Sequence, residues 1–129
     1  MATTLPSFQS QLSVPSAVNN FIAYQSAKMN ATSSSSSVTF DAVPTTGRVT
    51  AVVANSGTVG AYLASGAGSA TAVASTTSVS PSTGTAVSNC FYVAPGAIYT
   101  LDFIIGTNTF AIITAASTTT IEISVGAGS

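Results

Sequence analysis

Charge is almost missing from this sequence: Lys28, Asp41, Arg48, Asp102 and Glu122 are its only charged side chains, and histidine and tryptophan do not occur. Soluble domains draw about a quarter of their residues from Asp, Glu, Lys and Arg, against 4% here. Two cations cannot neutralise the several phosphates that even non-specific nucleic-acid affinity needs, which excludes a nucleic-acid partner. Three separated carboxylates without a histidine make no cluster for a metal ion. Two of them would suit glycoside hydrolysis in number, but without tryptophan and with Tyr24, Tyr62, Tyr92 and Tyr99 scattered, the aromatic sugar platform is missing. No nucleophile, base and oxyanion donor can be assigned together. The expectation is therefore no catalytic site, no cofactor and no metal.

The remaining absences bound the compartment. Cys90 is the single cysteine, so no intrachain disulfide forms. Lying between Asn89 and Phe91 with no cation beside it, it reads as a small buried core residue rather than a reactive thiol. No apolar run reaches transmembrane length, so no membrane partner is expected. Met1 to Pro6 has no basic segment leading into an apolar one, which predicts synthesis in the cytoplasm without export by a signal peptide. The Asn30-Ala31-Thr32 sequon then reads as chance.

What the chain does contain is hydroxyls and small apolar residues. Ser and Thr form roughly a third of it, far above their usual share, so hydroxyls must cover the surface. A net charge of −1 gives little colloidal repulsion, and self-association as a homo-oligomer is expected. The 129 residues suit one domain. The larger apolar groups gather in the second half, at Phe91 to Val93, Ile98 to Ile105, Phe110 to Ile113 and Ile121 to Val125.

The chain divides into three stretches. Residues 1–15 read as an extended N-terminal arm, broken by Pro6 and Pro15, with Leu5, Phe8, Leu12 and Val14 as apolar anchors for a partner. Residues 16–37 read as one short helix and a linker: Ser16 caps a helix over Ala17–Met29, with Val18, Phe21, Ile22, Gln25 and Met29 at three- and four-residue steps, and the serine run 33–37 links the helix to a β-domain. Residues 38–129 alternate with period two. Val38 and Phe40, then Val49, Ala51 and Val53, then Val59, Ala61 and Leu63 mark strands, and Asn55-Ser56-Gly57 marks a turn between the last two. A weak edge strand is predicted near Ala70 to Ala74. Val87, Asn89, Phe91 and Val93, then Tyr99, Leu101, Phe103 and Ile105, then Phe110 and Ile112, then Ile121, Ile123 and Val125 read as an antiparallel meander, with Pro95-Gly96 in a type II turn. The fold class is mainly β: an antiparallel β-sandwich, jelly-roll or Ig-like, of seven or eight short strands behind the arm and the helix.

Glu122 falls opposite Ile121 and Ile123 and reads as a solvated outward residue. Asp102 shares its face with Ile98 and Ile104, an unusual setting for a carboxylate. Three structural readings stand for it: an ion pair with Arg48 or Lys28, a cap on a hydroxyl network, or a subunit contact, and each outweighs catalysis.

A charge-poor β-domain rich in Ser, Thr, Ala and Gly, with an apolar arm and the turn Val-Ala-Pro-Gly-Ala-Ile-Tyr-Thr over residues 93–100, resembles the small virion proteins of tailed bacteriophages, capsid decoration or cement proteins in particular. The resemblance implies a sandwich, often trimeric, seated on the outside of a capsid. It would bridge major capsid subunits or contact another virion protein, so the virion is the expected location. The alternatives are a tail, baseplate or fibre component, or a surface adhesin that binds glycans. Ice binding would want a regular Thr-x-Thr ladder, which the sequence lacks.

Overall fold

The computed structural model describes residues 21–74 and 90–128. Within them lie eight strands: β1 (Ile22–Ala31), β2 (Ser36–Thr39), β3 (Val49–Asn55), β4 (Ala61–Gly66), β5 (Cys90–Val93), β6 (Ile98–Phe103), β7 (Thr109–Ile113) and β8 (Thr119–Ala127). They form two four-stranded sheets, in the order β1-β8-β3-β6 and β2-β7-β4-β5, with every pairing antiparallel. Each connection except that between β4 and β5 passes from one sheet to the other. Eight strands wound in this order are a jelly roll, one of the two sandwich types expected.

Period-two alternation explains the assembly. In sheet one, Ala27, Ile123, Val53 and Tyr99 fall in one cross-strand row on the inner face. Sheet two meets them with Leu63, Val93, Phe110 and Ile112, all essentially buried. Phe110 lies between Phe40 and Phe103, with ring centroids 5.9 and 5.2 Å away in edge-to-face geometry, an arrangement aromatic quadrupoles favour. A buried amide ties both sheets together. Asn55, 2% exposed, donates from Nδ2 to the carbonyls of Val59 and Val93, and its Oδ1 accepts from Gly57 N–H and Thr119 Oγ1.

Three sequence-based expectations need correction. The helix predicted over 17–29 is a strand from Ile22 onward, and 17–20 lie outside the described residues. Gln25 and Met29 sit four residues apart, a spacing that satisfies both a helical and an extended period. Ala27 and Ala31, which complete the inward row of the strand, are too small to mark it. The exposed edge of β8 also needs a neighbour over Ile121, Ile123 and Val125, and β1 supplies it. The sandwich thus includes part of the segment assigned to helix and linker, and Ser36 and Ser37 of the serine run enter β2. Second, no meander forms, because β6 pairs with β3, β7 with β2 and β4, and β8 with β1 and β3. The turns themselves occur as expected: Gly96 has φ 73° and Ala97 N–H donates to Ala94 O at 3.2 Å, as a type II turn requires. Such turns, however, step between sheets. Third, Ala70 to Ala74 is no strand. It crosses the outer face of sheet two, where Ala72 packs on Ala64 and Ala111 and its N–H donates to Ser35 Oγ.

Candidate contact surface

Among the described residues, the most exposed large apolar side chain, Ile104, belongs to the turn after β6. Phe103 anchors it from below by packing on Phe110, and Thr107, 5% exposed, donates its N–H to Ile104 O at 3.2 Å. Gly106 adopts φ 98°, a conformation that costs glycine little and side-chain-bearing residues much. With both ends fixed, Ile104 and Ile105 project outward, 81% and 44% exposed. Alternation predicts Ile105 on the inner face with Tyr99, Leu101 and Phe103. The strand stops at Phe103 instead, and the turn carries Ile105 to the surface.

Asp102 sits beside this turn on the outer face of sheet one and accepts a 2.7 Å hydrogen bond from Thr50 Oγ1. This hydroxyl is one of the three partners anticipated for Asp102. Arg48 shares two shallow depressions with Asp102 without an ion pair; the ion pair found among the described residues joins Lys28 to Glu122 at 3.7 Å. Glu122 is outward and exposed, as its pattern predicts. Three depressions of about 360–380 Å³ meet at Asp102. β1 begins at the same end, since Ala23, Gly126, Thr50 and Asp102 form one cross-strand row. Ile22, next to that row, is 64% exposed. Leu5, Phe8, Leu12 and Val14 lie outside the described residues, so of the anticipated contact residues only Asp102 is placed.

Two other groupings are not legible in the sequence. Tyr62 and Tyr92 meet across β4 and β5 with centroids 5.3 Å apart, and Tyr99 packs edge-on against Phe91; three of the four tyrosines are thus in aromatic pairs rather than scattered. The signal for the first pair is their equal placement in two alternating segments, readable only once β4 and β5 are known to be partners. Cys90 is half-buried and lies outside the main core, under the 70–74 segment, with Val73 N–H directed at its Sγ. Among the described residues no three His, Cys, Asp or Glu side chains are grouped to hold a metal ion, and no helix is long and apolar enough to cross a membrane.

No protein-family model, curated protein or solved structure matches the chain.

Proposed function

We propose that this chain is a non-enzymatic structural protein of a virion, a capsid decoration or cement protein that packs on major capsid subunits and stabilises the head. The reading draws first on the sequence resemblance to small phage virion proteins. The structural observation that carries it is the exposed Ile104–Ile105 turn beside Asp102, an apolar projection fixed at both ends. Burying Ile104 contributes roughly 1.5–3 kcal/mol and Ile105, already more than half covered, about half as much, and many identical copies on a lattice multiply a modest contact. The jelly roll recurs in capsid and lectin domains, and a fold does not by itself assign a role. The arm, through Leu5, Phe8, Leu12 and Val14, is the second element of attachment in this reading.

The test uses heads grown without the chain. Purified wild-type protein should co-sediment with them and raise the temperature at which they release DNA, whereas Ile104→Ser/Ile105→Ser should bind at least tenfold more weakly while staying folded. Equal binding by the double variant would remove the turn from the attachment surface. A second reading, a tail, fibre or adhesin domain that binds glycans, has one observation in its favour: the Tyr62–Tyr92 pair, with Tyr92 49% exposed. Retention on a glycan array, lost on Tyr92→Ala, would favour it.

A further inference from the structure

Sheet one ends on two strands whose outer edges pair with no described strand, and the hydrogen-bond pattern fixes which groups those edges present. Along an antiparallel strand, the N–H and C=O of one residue point to the same side, and the side alternates from residue to residue. Ser56 N–H donates to Thr120 O at 3.1 Å, so Thr120, Glu122 and Ser124 face β3, while Ile121, Ile123 and Val125 face β1. Their partners Met29, Ala27 and Gln25 direct their groups back at β8. Ser26, Lys28 and Asn30 therefore turn theirs to the free edge. At the other side, Asn55 N–H donates to Ala97 O at 2.9 Å. The same alternation commits Tyr99 and Leu101 to β3 and leaves Ile98, Thr100 and Asp102 turned outward.

We propose that copies of this chain join head to tail, the free edge of β1 pairing with the free edge of β6 of the next copy, so that sheet one continues from molecule to molecule. Edge strands left open template such pairing unless they are short, charged or broken by proline. In sheet two the β2 edge is short, with four residues, and β5 has four described residues. In sheet one β1 has no proline, and its register runs unbroken from Gln25 to Ala31. Its one charge, Lys28, is opposite in sign to Asp102, the one charge of β6.

The head-to-tail arrangement follows from direction and charge. β1 and β6 run antiparallel within the sheet, because three antiparallel pairings separate them. A second copy in the same orientation therefore offers β6 antiparallel to β1, with both outer faces on one side. Lys28 stands at one edge and Asp102 at the other. A register that sets Lys28 opposite Thr100 or Asp102 of the next copy brings ammonium and carboxylate within reach, directly or diagonally. Two-fold joining of like edges would gather two Lys28 side chains or two Asp102 side chains instead. A head-to-tail contact closes into a ring or continues as a filament.

The experiment uses the protein alone, so its outcome is independent of the virion reading. Proline at an outward-facing N–H removes an edge donor without breaking a bond inside the sheet, which makes Lys28→Pro and Thr100→Pro the informative pair. Between roughly 10 µM and 1 mM, the range expected for small contacts, wild-type mass should rise with concentration beyond that of a dimer. Each variant alone should stay at the 12.7 kDa of one chain. Their equimolar mixture should form a dimer and stop there, because one retains the β6 edge and the other the β1 edge. A wild-type monomer throughout, self-association of Thr100→Pro through β1 alone, or a mixture that stays monomeric would each overturn the proposal. Should near-UV circular dichroism show either variant unfolded, amide exchange in the wild type decides. The Lys28 and Thr100 amides must both slow as concentration rises. Slow exchange at the lowest concentration, from cover by residues 1–20 of the same chain, or fast exchange at all concentrations refutes it.

Discussion

Replacing Asn55 by alanine tests the internal logic of the sandwich. The Asn55 amide uses its full capacity of two donors and two acceptor sites: donations of 2.8 and 3.3 Å to Val59 O and Val93 O, and acceptances of 3.0 and 2.6 Å from Gly57 N–H and Thr119 Oγ1. These four bonds link the end of β3 to its following turn, to β5 in the opposite sheet and to β8. Asn55→Ala strands all four partners. The bonds to Val93 and Thr119 are buried, while those to Val59 and Gly57 are only part-buried and regain some water. Counting about 1–3 kcal/mol for each group left buried without a partner, the two buried ones dominate, and the loss is about 3 kcal/mol. With an unfolding entropy of roughly 2.1 cal/mol/K per residue over 129 residues, that lowers Tm by about 11 °C. Urea denaturation followed by intrinsic tyrosine fluorescence, with calorimetry for Tm, measures both. Thr119→Val should cost about 1–1.5 kcal/mol, since it removes one neutral bond. If Asn55→Ala costs under about 0.5 kcal/mol, the range of an ordinary surface substitution, the amide does not tie the sheets and the reasoning fails.

Three further outcomes are expected. Phe110→Ala, which empties the centre of the Phe40–Phe110–Phe103 stack, should cost about 3–5 kcal/mol in the same denaturation assay. Gly106→Val forces a β-branched residue to φ 98° and should cost about 1–3 kcal/mol, with the resonance shifts confined to the turn after β6. Lys28→Met removes an ion pair whose side chains are 69% and 54% exposed, and stability should change by less than about 0.5 kcal/mol at any salt concentration.

The sandwich is legible in the sequence because period-two alternation is strongest where the core is deepest. Ile121, Ile123 and Val125, and likewise Val49, Ala51 and Val53, need no further context. Pairing is less legible. A Pro-Gly or Ile-Gly turn has the same sequence whether it links neighbours in one sheet or steps to the other, so a jelly roll reads naturally as a meander. β1 is hidden for a different reason: its inward face is Gln25, Ala27, Met29 and Ala31, and two alanines carry little hydropathy, leaving a four-residue step that fits a helix equally well. At the contact surface, Asp102 stands out because a carboxylate shares a face with isoleucines. Its Thr50 partner lies in another strand, 52 residues away in sequence, and appears only once β3 and β6 are paired. Ile105 looks inward only when alternation is extended past the residue where the turn begins.

The proposal that this jelly roll is a structural part of a virion head is tested most directly on particles of a tailed phage whose genome encodes the chain. Heads and tails are separated, and the chain is quantified in each by mass spectrometry against the major capsid protein. It should appear in the head fraction at a fixed stoichiometry to the capsid protein, retained in about 1 M salt because its contacts are apolar and weakly charged. Its absence from heads, or its presence only in tails, would contradict the proposal.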